Sequence, residues 1–222
     1  MNKIITLLVL TSSFFAFSQE ADSVKITKSP KLDFYWGIGM QVNSFKLNDK
    51  LRASGAADIK ETMPEFLLGA NIFGEQFSGD IEFGFLYSTN RANNTKSKLL
   101  GVNARLRVHY NLIKTENIAL TTGLNLSATG NNVDVYAANN VINLNDLDPM
   151  NNSGHISLRN QIFYVGPSAS FYAWRNKAFK LRLNIAYEFA FTNGKWKSDY
   201  ADVHNTVKEI GNNRFILGLI IQ

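Results

Sequence analysis

Bulky apolar residues alternate with polar or very small ones in eight separate stretches of this 222-residue chain. The clearest stretch runs from Phe179 to Phe191, where every second residue is phenylalanine, leucine, isoleucine or tyrosine. A period of two places successive side chains on opposite faces of a β-strand. Each stretch therefore predicts a strand with one apolar and one polar or crowded face, and the chain is predicted to be all-β.

The connections between these strands alternate between short and long. Short turns are predicted around 74–78, 111–117 and 175–178. This rhythm is typical of an up-and-down barrel in an outer membrane, with short periplasmic turns and long outside loops. The predicted strands cover residues 33–43, 65–73, 79–88, 99–110, 118–129, 161–174, 179–191 and 213–222.

The size of the apolar face separates a membrane barrel from a soluble barrel of lipocalin type, which also has alternating strands. The apolar face carries about 35 large side chains, whereas an eight-stranded interior is just wide enough for side chains to fill it. The opposite face carries glycines such as Gly84, Gly123 and Gly166, which suit a crowded lumen. We therefore predict an eight-stranded antiparallel up-and-down transmembrane β-barrel with its apolar face towards lipid.

Aromatic residues at the strand ends agree with that orientation. Trp36, Tyr110 and Trp174 fall near the predicted periplasmic ends, and Tyr87 falls near an outer end. Two such belts are expected where strands cross both membrane interfaces. We interpret these four residues as interface aromatics.

The first nineteen residues have the parts of a secretory signal. Lys3 supplies a basic start, residues 4–10 are apolar, and Ala16 and Ser18 are small residues near the expected cleavage site. The apolar run is shorter than the roughly 20 residues of a membrane helix. We therefore expect export to the outer membrane of a Gram-negative cell. The expected divisions are a signal peptide at 1–19, a periplasmic leader at 20–32 and a barrel domain at 33–222.

Composition excludes several kinds of site. The chain has no cysteine, so it can form neither a disulfide framework nor a thiolate metal site. Its net charge of +5 comes from scattered basic residues rather than a basic run. We expect no nucleic-acid partner, no metal and no cofactor.

Charged residues at inward positions predict an ion-pair network in the lumen. We place Tyr87 opposite Leu100 across strands three and four, and this register sets acidic residues opposite basic ones. The opposed pairs are then Glu82 with Arg105 and Asp80 with Arg107. The predicted network consists of Asp80, Glu82, Arg105, Arg107, His109, Lys180, Arg182, Glu188 and Arg214.

Two interpretations of this network remain open. Its charges could line a narrow pore for ions or small solutes, or they could neutralise one another and fill the lumen. We favour the filled lumen, because wide channels need 16 or more strands. We assign His109 a structural hydrogen-bonding role, since no second histidine stands at ligand spacing.

The segment from Val165 to Ser168 contains a Gly-Pro pair, and Phe171 and Tyr172 follow shortly after it. With the alternation above, residues 33–222 resemble the small eight-stranded outer-membrane barrels, a group that includes the OmpA transmembrane domain, OmpX, OmpW and PorT-like proteins. Pro167 removes a ladder donor, so we expect a bulge or local break there. We also expect a bulge or the end of the strand near Asn43, where the apolar positions change parity.

An enzymatic alternative rests on three residues. Some barrels of this group are lipid A acyl-chain enzymes, and one deacylase family carries a His-x-Ser pair near the outer rim. This chain has His155-Ile156-Ser157 there, but Ala169 stands where the acidic partner is expected. We predict no catalytic residues and no enzyme activity.

The remaining candidate region is the set of long outer loops. Trp196 and Tyr200 could anchor a protein partner, and Val133 and Val135 indicate that strand five continues outward. We expect a monomer in contact with outer-membrane lipid and lipopolysaccharide, with an unidentified extracellular or periplasmic protein partner. An asparagine-rich stretch offers oxygen ligands for Ca²⁺, but it lacks the EF-hand order of ligands, so we favour a solvated loop. The long links are 44–64, 89–98, 130–160 and 192–212.

Overall fold

The computed structural model describes residues 32–137, 154–175, 177, 179–204 and 207–222. The predicted signal peptide, nearly all of the leader and the asparagine-rich stretch at 138–153 lie outside these ranges. All eight predicted strands are confirmed. They are β1 Leu32–Asn43, β2 Thr62–Phe73, β3 Phe77–Ala92, β4 Thr95–Lys114, β5 Ile118–Ala137, β6 His155–Ala173, β7 Leu181–Ala190 and β8 Asn213–Ile221.

Each strand pairs antiparallel with the next, and β8 returns to β1. The closing ladder runs from Trp36 opposite Ile221 to Asn43 opposite Arg214. The eight strands thus form a closed up-and-down barrel, which confirms the predicted fold class. Within the described ranges, no helix has the length and apolarity needed to cross a membrane.

The two ends of the barrel differ. We call the end with the connections at 74–76, 115–117 and 174–180 the turn end, and the opposite one the loop end. A short helix, α1 (Leu47–Ala53), occupies the β1–β2 connection at the loop end. This helix was not predicted from the sequence. The strand β1 stops at Asn43, so the change of apolar parity marks the end of that strand rather than a bulge.

The predicted long link at 89–98 is wrong. Strands β3 and β4 continue to Ala92 and Thr95 and are joined by Asn93 and Asn94, whose φ angles are 47° and 59°. Two successive residues with positive φ make the tight turn that fits the twist of a hairpin, and asparagine tolerates this conformation. The strands at this hairpin therefore extend further at the loop end than predicted, and β5 also continues, as expected, to Ala137.

Pro167 produces a local break without a bulge. The β6–β7 ladder pairs Val165 with Phe189 and Ser168 with Ala186, which is one register on both sides of the proline, and the pairs described for this ladder omit Gly166 and Pro167. The backbone of Tyr187 occupies the space that a Cβ at position 166 would need. Only glycine permits this close approach of the two strands.

The outward face of the barrel carries an apolar band, which we call the outer belt. On β3 the outward positions from Phe77 to Tyr87 are apolar or glycine, and on β4 every outward residue from Leu100 to Leu112 is apolar. Ten residues of a strand that is tilted by about 40° from the barrel axis rise about 25 Å along that axis, and this rise is the approximate height of the outer belt. The buried polar and charged residues of the strands lie on the inward face.

Candidate functional site

The lumen brings arginines and carboxylates together in the register predicted from Tyr87 facing Leu100. In the β3–β4 ladder, Glu82 lies opposite Arg105 and Asp80 lies opposite Arg107. Four arginines are buried in the lumen together with four carboxylates, so their formal charges balance. The buried set is Arg105, Arg107, Arg182, Arg214, Glu65, Asp80, Glu82 and Glu188.

Arg105 lies between two carboxylates. Its Nη1 donates to Glu82 at 2.8 Å, and its Nη2 donates to both oxygens of Glu65 at 2.6 and 2.8 Å. All three side chains are fully buried. Burying a charge is costly unless it is paired and hydrogen-bonded, and the two carboxylates meet this requirement. Sequence reasoning missed Glu65, because it lies on β2, two strands away from Arg105.

A second group of paired charges lies closer to the turn end. Arg107 donates to Glu82 at 2.5 Å, and Arg182 forms an ion pair with Asp80 at 2.5 Å across the lumen. The hydroxyl of Tyr35 donates to Asp80, and the Arg182 guanidinium lies 4.3 Å from the centre of the Tyr35 ring. The arginine is thus paired with a carboxylate and an aromatic face together. Tyr35 was not among the predicted site residues.

A third group fills the lumen towards the loop end. The Nε of Arg214 donates to Glu188 at 2.5 Å, and its guanidinium lies 3.8 Å from the centre of the Tyr164 ring. Asn125 and Ser127 donate to the same carboxylate of Glu188 at 2.5 and 2.6 Å. Polar and aromatic side chains therefore occupy the space between the ion pairs.

His109 is a hydrogen-bonding residue of the wall. Its Nδ1 lies 2.8 Å from the Thr121 hydroxyl and its Nε2 lies 2.7 Å from the Ser168 hydroxyl. Both ring nitrogens are thus engaged by neutral partners on β5 and β6. Among the described residues, no group of three or more histidine, cysteine, aspartate or glutamate side chains is placed to hold a metal ion.

Lys180 lies at the turn-end rim of the lumen, outside the buried ion pairs described above. Its ammonium binds Asp33 at 2.6 Å, and both side chains are partly exposed. Reciprocal backbone hydrogen bonds between Lys180 and Gln222 continue the β7–β8 register by one pair, so Lys180 keeps the inward parity of Arg182. The ion pair with Asp33 joins the start of β1 to the start of β7.

The predicted interface aromatics are all on the outward face. Trp36, Tyr87, Tyr110 and Trp174 have about half of their surfaces exposed. Tyr110 packs edge-on against Phe77, and Trp174 contacts Phe179. These residues belong to the outer belt or lie at its turn end.

The loop end is closed by an apolar cluster, which we call the cap. Two connections fold inward to build it: the β1–β2 connection, with helix α1, and the β7–β8 connection. The cap rests on inward side chains at the loop-end parts of the strands. Its buried members are Phe45, Leu47, Leu51, Ile59, Met63, Leu86, Leu99, Val133, Val135 and Trp196.

A buried carboxylate, Glu209, joins the two connections of the cap. It accepts hydrogen bonds from the backbone N–H groups of Lys46 and Leu47 at 2.9 and 3.1 Å, and from the Trp196 indole at 2.8 Å. It also accepts from the side chain of Asn212.

On the exposed side of helix α1, a hydrogen bond to Asp49 raises the pKa of Arg52.

Trp196 is therefore not a surface anchor, which corrects its predicted role. Only 2% of the residue is exposed, and its ring packs edge-on against Phe45. Tyr200, the second predicted anchor, is 84% exposed. The tryptophan follows a charged, asparagine-containing stretch, and no local pattern distinguishes it from a surface aromatic.

The residues of the enzymatic alternative do not form a serine–histidine pair. His155 binds Asp134 at 3.2 Å, and Ser157 lies opposite Asp134 across the β5–β6 ladder. The hydrogen bonds of the described residues do not join His155 to Ser157. A nucleophilic serine requires a base within hydrogen-bond reach.

Comparison with known proteins supports the fold. No family model matches the chain, and no curated protein matches it in sequence. The solved structure of Ail, the attachment invasion locus protein of Yersinia pestis, has a TM-score of 0.50 and 9% identity, covering 86% of this chain and 97% of that chain. Neisserial surface protein A has a TM-score of 0.48 and 13% identity over the same shares. The likeness to Ail confirms, at the level of fold, the predicted resemblance to small eight-stranded outer-membrane barrels.

Proposed function

We propose that this chain is a monomeric outer-membrane protein with a closed lumen, and that it has a structural or surface-interaction role carried by its loop end. The observation that carries this proposal is the closure of the barrel, with balanced ion pairs in the lumen and an apolar cap above them. A barrel filled in this way offers no open path for solutes. Its remaining accessible surfaces are the outer belt and the two ends.

The outer belt supports the location. Its height of about 25 Å matches the apolar band of outer-membrane barrels. In water, an exposed apolar surface that surrounds the whole molecule would lead to aggregation. Lipid removes this cost, so outer-membrane lipid and lipopolysaccharide are the proposed surroundings. Export through a signal peptide at 1–19 is part of the same proposal.

The strands above the belt support a surface-interaction role. Both β4 and β5 have 20 residues, about twice the number that a tilted strand needs to cross a bilayer. On β6, Arg159 pairs with Lys197 of the β7–β8 connection, whereas the β6–β7 ladder begins only at Tyr164. The backbone groups with which Arg159 binds Lys197 face away from β5, and those of His155 and Ser157, which have the same parity, point in the same direction. They form an edge of β6 beyond the end of the β6–β7 ladder. Such an edge can pair with a strand of a protein partner.

The likeness to Ail adds an analogy of fold. The name of that protein refers to attachment and invasion. One fold carries many functions, so this analogy supports the general role and no particular partner. Neither a lipid A hydrolase nor a pore is proposed, because His155 binds Asp134 and the lumen charges are paired.

Cell fractionation and gel mobility test the location. We expect the chain in the outer-membrane fraction, and we expect the unheated protein to migrate faster than the boiled protein on a detergent gel, because a folded barrel resists the detergent. A detergent-free soluble fraction with no mobility shift would show that the membrane assignment is wrong. Protease added to intact cells should cut the β7–β8 connection, and protection of that connection would contradict its exposure at the cell surface.

A further inference from the structure

Two adjoining cavities lie at the loop-end edge of the outer belt, on the outward side of β5 and β6. The larger, which we call the basic cleft, has a volume of about 590 Å³. The smaller, which we call the apolar notch, has a volume of about 200 Å³ and includes Ala128, Ile162 and Phe163. Gly130 and Gln161 line both cavities. The basic cleft is lined chiefly by Gly130, Asn132, Arg159, Asn160, Lys195 and Lys197.

The basic cleft has an excess of positive charge. Arg159 pairs with Asp199 at 2.5 Å, which leaves the two lysines as the uncompensated charges. Lys195 and Lys197 are exposed, and neither takes part in the salt bridges found among the described residues. Their ammonium groups come from a connection that is fixed to β6 by the backbone bonds between Lys197 and Arg159, at 2.8 and 2.9 Å.

Amide side chains of the outward face line the same cleft. Asn132 on β5 and Gln161 on β6 are exposed at outward positions. An amide nitrogen is a donor, so it suits an acceptor such as a phosphate oxygen. The lysines and these amides therefore favour the same kind of ligand.

The position of the cavities relates this ligand to the membrane. Gly130 pairs with Gln161, and two residues towards the turn end Ala128 pairs with Phe163. This step is about 7 Å along the strand. Ala128 and Phe163 are the last apolar outward residues of their strands before the polar positions begin. The cleft thus lies at the height of lipid headgroups, and the notch lies at the height where acyl chains begin.

We propose that the basic cleft and the apolar notch together bind one lipid of the outer leaflet that carries an anionic phosphorylated headgroup. This inference rests on the proposed outer-membrane location. The phosphate lies between Lys195 and Lys197 in the basic cleft, and an acyl chain of the same lipid lies against Phe163. The absence of a side chain at Gly130 leaves the passage between the two cavities open, since no heavy atom lies within 4 Å of a Cβ built there.

Titration of the detergent-solubilised barrel with lipid A, followed by native mass spectrometry, tests this site. Lys195→Gln with Lys197→Gln should weaken lipid A binding by roughly tenfold or more, since the change removes both cations that attract the anionic headgroup in the cleft. Gly130→Leu should also weaken binding, because it fills the passage and keeps every charge. The control pair is Lys96→Gln with Lys98→Gln, which removes the same charge from the outward face of β4 above the belt.

The control pair is expected to change lipid A binding by less than about threefold, because surface charges outside the cleft contribute only a general attraction. Equal weakening by both lysine pairs, or no effect of Gly130→Leu, would overturn the proposal in favour of such an attraction. Phosphatidylcholine should bind far more weakly than lipid A, and equal binding would also overturn it. Inorganic phosphate should not displace lipid A, because it cannot occupy the apolar notch, and displacement would reassign the cleft to free phosphate.

The gel mobility shift is recorded for every variant, so a loss of lipid binding in a correctly folded barrel is attributed to the cleft. If the protein fractionates with the outer membrane and none of these variants changes binding, the lipid site alone is wrong. If the protein is found in the soluble fraction, the proposed location fails first.

Discussion

Both carboxylate oxygens of Glu65 accept hydrogen bonds from Nη2 of Arg105, at 2.6 and 2.8 Å, across the lumen of the barrel. Arg105 also donates to Glu82, so one guanidinium joins β2, β3 and β4. Neither partner of the Glu65–Arg105 pair has a solvent-exposed side chain. The lumen thus depends on charges that are stable only while they are paired.

Glu65→Ala should lower the free energy of unfolding by about 3–5 kcal/mol, because it leaves a buried arginine with half of its partners. Urea titration of the barrel in lipid vesicles measures this difference. The matched control is Asp49→Ala, which breaks an exposed pair with Arg52 and should leave the stability nearly unchanged, because solvent screens such a pair. A loss at Glu65 no larger than the loss at Asp49 would contradict the proposed structural role of the lumen pairs.

The same carboxylate determines which residues the neighbouring strand tolerates. A Cβ at position 84 would overlap with the Glu65 carboxylate, whereas no heavy atom lies within 4 Å of a Cβ built at Gly79 on the same strand. Gly84→Ala should therefore destabilise the barrel by about 1–3 kcal/mol, the range for overpacking. Gly79→Ala should be neutral or slightly stabilising, since alanine has less unfolded-state entropy to lose. Equal urea midpoints for the two variants would contradict this prediction.

The sequence predicted the faces of the strands and the nearest pairs well, and there is a physical reason. Alternation with a period of two is local, so it identifies each strand and its two faces. The register of Glu82 with Arg105 follows from a hairpin, in which neighbours along the chain are neighbours in the ladder. The pairing of Glu65 with the same arginine requires the curvature of the closed barrel, which no local pattern contains.

The cap was not predictable for a related reason. Glu209 binds the backbone of Lys46, 163 positions earlier in the chain, and the Trp196 indole within its own connection. These contacts have no sequence period, and the polar composition around Trp196 is typical of an exposed loop. Only the three-dimensional structure shows that both connections turn inward over the lumen.

Trp196→Ala should remove much of the stabilisation provided by the cap. The change leaves a cavity beside Phe45 and removes a donor to Glu209, and large-to-small changes of this kind cost about 3–5 kcal/mol. Tyr200→Ala is the control within the same connection, because 84% of that residue is exposed. Limited proteolysis of folded protein should cut the Trp196→Ala variant faster at the β1–β2 connection. Equal cleavage rates in the two variants would show that Trp196 does not hold the cap.

Conductance measurements distinguish the contribution of the cap to closing the barrel from that of the lumen ion pairs. In planar bilayers the unmodified chain should give no steady current, because two successive obstacles close the barrel. Trp196→Ala, which loosens only the cap, should also give none, since the paired arginines still fill the lumen beneath it. Arg105→Ala combined with Glu82→Ala removes matched charges from the lumen and should produce brief events of small conductance. Each variant is first checked for the mobility shift of a folded barrel. Steady current through the unmodified chain would contradict the closed lumen, and current from Trp196→Ala alone would show that the cap is the only barrier.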